Sequence, residues 1–114
     1  MTVARIVRGD VVWASKDPTV GREQHGDRPW LVLSHDVLHR STQILIAVPM
    51  THTDRQWTTH VRMNPGDEPP QIAMCEQIQA MSTARVRRVE PTPYPERMVD
   101  QAHTIATMLT APRR

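Results

Sequence analysis

The sequence predicts a mainly β protein: a small antiparallel barrel or strongly bent sheet, followed by one C-terminal helix. Three observations point there. Short apolar runs recur through the first ninety positions. Turn-forming residues separate them, most plainly Arg8-Gly9-Asp10 and Asn64-Pro65-Gly66-Asp67-Glu68-Pro69-Pro70. In the tail the apolar period changes, with Met98, Val99, Ala102, Ile105, Ala106 and Leu109 spaced by threes and fours along one stripe.

The elements are expected in this order. Val11–Ala14 is a first strand, opened by the Arg8-Gly9-Asp10 turn and broken by Asp17-Pro18. Residues 17–28 form a long polar loop. Trp30–Leu33 is a short continuous apolar run of the kind a well-buried strand shows. His35–Thr42 reads as a polar connection. Ile44–Met50, the most hydrophobic segment, is the central strand. Trp57–Met63 alternates in places and reads as a fourth strand. Ile72–Met74, Ile78–Met81 and Val86–Val89 are short strands. Thr92 is a suitable N-cap, with Pro93 in the first helical turn and Pro112 ending the helix. The stripe from Met98 to Leu109 is expected in the core, or else in a contact with a second subunit.

With 114 residues, no internal repeat and no linker-like tract, residues 1–114 are read as a single domain. No run approaches a membrane span, and Met1–Asp10 lacks the apolar stretch of a secretory leader. Cys75 is the only cysteine, so it forms no internal disulfide and holds no zinc cluster alone. A cytoplasmic protein is expected. The formal net charge is +2, from 14 Lys+Arg against 12 Asp+Glu, which alone argues for no particular partner. Lys16 is the only lysine. The preference for arginine fits phosphate recognition by a planar fork, and it equally fits a codon bias. Trp13, Trp30, Trp57 and Tyr94 are the only aromatic residues apart from histidine, so the core rests on small aliphatic side chains.

Several blocks line up with one family. Arg8–Trp13, Asp17–Gln24, Gly26–Ser34, Ala47–Thr51 and Met74–Met81 resemble the MazF/PemK toxins in content, order and spacing. The resemblance covers about residues 5–110. It implies an SH3-like antiparallel barrel with a C-terminal helix, of the MazF/PemK/CcdB type, working as a homodimer. It also implies a sequence-selective, metal-independent endoribonuclease that cuts single-stranded RNA to 2′,3′-cyclic phosphate and 5′-hydroxyl ends. A cognate antitoxin with a disordered acidic tail would neutralise it. No cofactor and no membrane association are implied.

The chemistry implied is an attack by the 2′-hydroxyl of RNA on the adjacent phosphorus. The substrate brings its own nucleophile. The protein has to stabilise charge, move protons and hold the in-line geometry. Arg28 matches the family's catalytic arginine, can donate two parallel hydrogen bonds to phosphate, and is held extended by Pro29. The competing reading is a surface arginine paired with Asp27 or Glu23. Thr51 matches a second catalytic position, where a hydroxyl can donate to the same phosphate; otherwise it is a turn residue. His25 has a suitable intrinsic range for proton transfer, and Glu23 and Gln24 match a Glu-Gln pair that reacts or orders the loop. Candidate RNA contacts are Gln24, Trp30, His52, Arg55, Trp57, Glu76 and Gln77, with Arg22, Arg40 and Arg62 as further phosphate contacts. Trp30 or Trp57 would stack on an unpaired base, although a core position also suits Trp30. Arg85, Arg87 and Arg88 fit either RNA or a solvated edge strand. His35 and His39 lie four apart, but in a stretch read as loop and without a completing Cys or carboxylate, so no metal site is expected.

The alternative function is a gyrase poison of the CcdB type, which shares the fold without cutting RNA. Such toxins rely on aromatic and apolar residues at the C-terminus, whereas this chain ends Ala111-Pro112-Arg113-Arg114. An inactive homologue that only binds is the third reading. The Arg28 and Thr51 blocks favour the ribonuclease.

Overall fold

The computed structural model describes residues 5–15 and 26–110. Among these, seven strands and two helices follow in the order β1 (Val11–Ser15), β2 (Asp27–Val32), α1 (Asp36–Thr42), β3 (Ile44–Thr51), β4 (His60–Arg62), β5 (Ile72–Met74), β6 (Gln79–Ser82), β7 (Val86–Glu90) and α2 (Glu96–Leu109). Short 3₁₀ turns at Cys75–Gln77 and Thr83–Arg85 flank β6. All strand pairs are antiparallel, in the spatial order β4-β5-β3-β2-β1-β7, with β6 also on β3.

As its apolar run predicts, β3 is the centre. One edge pairs with β2 through Ala47–Pro49. The other edge is shared: Ile44–Ala47 pair with β6, and Met50 and Thr51 pair with β5. One strand serving two partners on one edge bends the sheet, which is the geometry of an SH3-like barrel.

Two clusters fill the two sides of the bend. Alternate residues of the strands (Val11, Leu31, Leu33, Val48, Met50, Val61, Met63, Ala73) pack under Met98, Val99, Ala102 and Ala106 of α2. The intervening residues Val12, Ala14, Trp30, Val32, Leu45 and Ala47 meet Ile6 and Met81 in a second core.

The turn before β1 needs Gly9. Its φ of +96° is left-handed, and an added Cβ would stand 3.6 Å from Val99. The next residue, Asp10, is buried and ties two distant segments together. Its carboxylate accepts from the Val7 amide and from the Thr92 amide, each at 2.9 Å.

Four expectations need correction. His35–Thr42 is not a connection: residues 36–42 form α1, capped by the His35 imidazole, which accepts from the Val37 amide at 3.1 Å. Its buried polar residues are satisfied tertiarily. Asp36 takes the Arg5 guanidinium at 2.6 Å, and His39 bonds the Ile6 carbonyl at 2.8 Å and the Ser34 hydroxyl at 2.6 Å. The fourth strand is only His60–Arg62, because Trp57 to His60 closes as a turn with the His60 amide on the Trp57 carbonyl. Thr92 does not cap α2. The helix starts after Pro95, and no side chain bonds its first amides. Leu109, at the last turn of α2, is 48% exposed rather than core.

Candidate active site

The rim where β2 begins and β3 ends carries the two residues singled out for catalysis. The β2–β3 ladder runs Val32↔Ala47, Leu31↔Val48, Trp30↔Pro49. Continued by two residues on each strand, the same register sets Arg28 opposite Thr51. Directly opposed residues of an antiparallel pair share a face. Arg28 and Thr51 therefore lie on the face that holds Trp30 and Ala47, where the apolar core gives way to solvent. Both are half-buried.

Arg28 is not paired with Asp27. Adjacent strand residues point to opposite faces, and Asp27 instead takes Arg87 at 3.4 Å. The Thr51 oxygen accepts from the Thr53 amide at 3.2 Å, which fixes the hydroxyl as β3 turns into the following loop. Its hydrogen remains able to donate. Glu23, Gln24 and His25 lie outside the described residues, as does Arg22.

The other candidates divide into two groups. Trp30 is corrected to the core. It is 1% exposed, and its indole Nε1 donates to the Ala14 carbonyl at 3.2 Å, so neither face is open to a base. The apolar run around it hides its direction in the sequence; pairing of β2 between β1 and β3 buries it in the second core. Arg62 is held by Asp67 and Glu68, Arg40 lies 3.9 Å from Asp36, and Arg85 donates to the Ser15 carbonyl. Arg88 stacks on Trp13, its guanidinium carbon 4.6 Å from the ring centroid. Each arginine of the late cluster thus has a partner within the chain, while Arg87 and Arg88 stay exposed.

The second group surrounds the loop after β3. His52 donates Nδ1 to the Pro70 carbonyl at 3.0 Å and stays exposed, as do Arg55 and Trp57. Gln77 is exposed beside Glu76. The Glu76 carboxylate is engaged from within: it accepts the Thr59 hydroxyl at 2.7 Å and lies 3.1 Å from His60 Nε2. Burial raises the Glu76 pKa. The Thr59 hydrogen bond, its own backbone amide and His60 outweigh this and hold it below the usual glutamate range. The sequence does not single out His60. Its partner lies sixteen residues on, a separation that carries no pattern in one sequence. Cys75, next to Glu76, is buried, and burial followed by the Glu76 charge pushes its thiol up to about 11.

Comparison with known proteins identifies the family. The family model of PemK-like, MazF-like toxins of type II toxin–antitoxin systems matches residues 7–109. The chain is 32% identical over 91 residues to the endoribonuclease toxin MazF of Escherichia coli K12, covering 79% of this chain and 81% of that one. It is 34% identical over 86 residues to endoribonuclease EndoA of Bacillus subtilis, covering 71% and 74%. Among solved structures, a mycobacterial endoribonuclease in complex with its cognate antitoxin superposes with a TM-score of 0.73 at 22% identity, over 96% of this chain and 99% of that one. The MazE–MazF complex of Deinococcus radiodurans gives 0.77 at 20% identity, over 95% and 97%. The extent of the family match and the identity to two curated relatives agree with the fold: the chain belongs to the family of PemK-like, MazF-like toxins of type II toxin–antitoxin systems.

Proposed function

We propose that this protein is a sequence-selective endoribonuclease toxin that cuts single-stranded RNA without a metal and is neutralised by a cognate antitoxin. The observation that carries this reading is the opposition of Arg28 and Thr51 at one rim, in a chain whose relatives are named endoribonucleases.

The two groups suit an RNA phosphate. The 2′-oxygen attacks phosphorus and the P–O5′ bond breaks, leaving a cyclic phosphate and a 5′-hydroxyl. Charge builds on the two non-bridging oxygens. Arg28 donates a fork of N–H groups to them, and Thr51 donates its hydroxyl from the neighbouring strand. Because Thr51 already accepts from the Thr53 amide, its oxygen is placed before substrate arrives. The proton of the 2′-hydroxyl and the proton for the leaving oxygen fall to His25 or Glu23 in this reading, since arginine stays protonated.

The protein works as a homodimer in this reading. Exposed Val37, Ile44, Met108 and Leu109, beside a groove lined by Leu38, Ile46, Ile78 and Ala106, supply apolar surface for a second copy. Two of its structural relatives are solved in complex with an antitoxin; in this reading the antitoxin of this chain competes with RNA through an acidic disordered tail.

Incubation of the purified protein with mixed-sequence RNA in EDTA, followed by mapping of the new ends, tests the reading. Discrete cuts with 5′-hydroxyl ends are expected. Growth arrest on expression, without cleavage of any RNA, would instead favour the gyrase-poison alternative.

A further inference from the structure

Trp57 is 54% exposed, yet one side of its ring is supported. The His60 imidazole lies against it, with centroids 4.8 Å apart and planes tilted by 33°. The His60 side chain is only 2% exposed, and its Nε2 is fixed 3.1 Å from Glu76 Oε2. Thr59 holds the other Glu76 oxygen at 2.7 Å. His60 Nδ1 is buried and finds no partner. An aliphatic side chain here would leave no orphaned nitrogen, but it would give Glu76 no donor and the indole no flat ring to lie against. What the imidazole provides here is a flat, anchored support for an indole that faces solvent.

The location is equally specific. Thr51 pairs with Ile72, Ile72 pairs with Arg62, and His60 lies two residues from Arg62 on the same face of β4. Strand spacing and rise then put His60 ~12 Å from Thr51. That face is turned away from α2. Arg55 approaches the same indole, its guanidinium carbon 5.9 Å from the centroid, and brings a cation for a neighbouring phosphate.

We propose that His60, anchored by Glu76, is a positioning residue that holds Trp57 as a stacking platform for an unpaired RNA base near the cleaved bond. This rests on the ribonuclease reading, and it moves Glu76 from contact with RNA to support of the platform. The Arg55 cation favours RNA over an acidic peptide lying on the same ring only by its neighbouring base, so binding of RNA itself is the test.

The probe is a short mixed-sequence RNA with 2′-O-methyl groups, which cannot be cut, and the readouts are its Kd and the part of the tryptophan emission that is lost in Trp57→Ala. Alongside them, kcat and KM are measured on unmodified RNA. Trp57→Ala, a change at an exposed position, is expected to weaken binding roughly 5- to 150-fold. His60→Ala should raise KM in the same direction with kcat nearly unchanged. His60→Gln, which keeps a planar group and a donor for Glu76, should restore most of the loss. RNA should quench Trp57 emission in the wild type and less in His60→Ala. Wild-type Kd and KM in both Trp57→Ala and His60→Ala, with RNA still cut, would overturn the platform alone. A wild-type protein that neither binds nor cuts RNA would overturn the ribonuclease reading and the platform with it.

Discussion

Arg28 on β2 and Thr51 on β3 stand two residues beyond the last paired positions of one antiparallel ladder, and its register sets them face to face. Neither side chain is part of the packed interior, yet both emerge from strands whose next inward residues, Trp30 and Pro49, are buried. The positions are rigid because the core beneath them is.

Arg28→Ala is therefore expected to lower kcat about 10²–10³-fold, roughly 3–4 kcal/mol of transition-state stabilisation, with little change in thermal stability. Arg28→Lys should recover only a small part, because a single ammonium cannot present two parallel donors. Single-turnover cleavage of a mapped RNA measures both. Full activity in Arg28→Ala would remove the arginine from the chemistry.

For Thr51 the informative contrast is Ser against Val. Thr51→Ser keeps the hydroxyl that bonds the Thr53 amide and should retain most of the rate. Thr51→Val keeps the shape and should lose at least tenfold, about 1.4 kcal/mol in the barrier. Equal rates in the two variants would reduce Thr51 to a turn residue.

Stability should depend on Asp10 far from the site. Asp10→Ala leaves the Val7 and Thr92 amides without their acceptor, a loss of about 1–3 kcal/mol, or about 4 °C in Tm per kcal/mol. Calorimetry of a variant with unchanged Tm would show that the link between the β1 turn and the segment leading into α2 is not needed.

Glu76 gives the stability an acid limb. Its folded pKa lies below the unfolded one, so the stabilisation is complete above about pH 4.3 and is lost as pH falls through the folded value. Denaturant titrations at several acidic pH values should show Glu76→Gln losing stability less steeply than the wild type. Parallel curves would remove Glu76 as a contributor. By contrast, the Cys75 thiol, raised to about 11 and buried, should resist labelling in the native state at neutral pH, and Cys75→Ala should cut RNA normally.

Much of the fold was legible in one sequence because its signals are local. The apolar runs of β1, β2 and β3 and the stripe of α2 each announce themselves by period. Helix α1 did not, because Val37 and Leu38 are too few to make a stripe and its buried Asp36 and His39 find partners only in Arg5, Ile6 and Ser34. The sequence puts the start of α2 too early because three prolines crowd Thr92, and only the third opens the helix. The site shows the same division. Arg28 and Thr51 stand out by the blocks that hold them, but their opposition is a matter of register. The His60–Glu76 contact joins two segments that only the β4–β5 pairing brings together.

The central claim is that RNA supplies the nucleophile and the Arg28–Thr51 rim stabilises the phosphate it attacks. A substrate carrying one 2′-deoxy residue on the 5′ side of a mapped cleavage site tests it most directly. The prediction is that this RNA still binds but is no longer cut there, while unmodified copies of the same site are cut as before. Cleavage of the deoxy site at the normal rate would require a nucleophile from water or protein and would contradict the account.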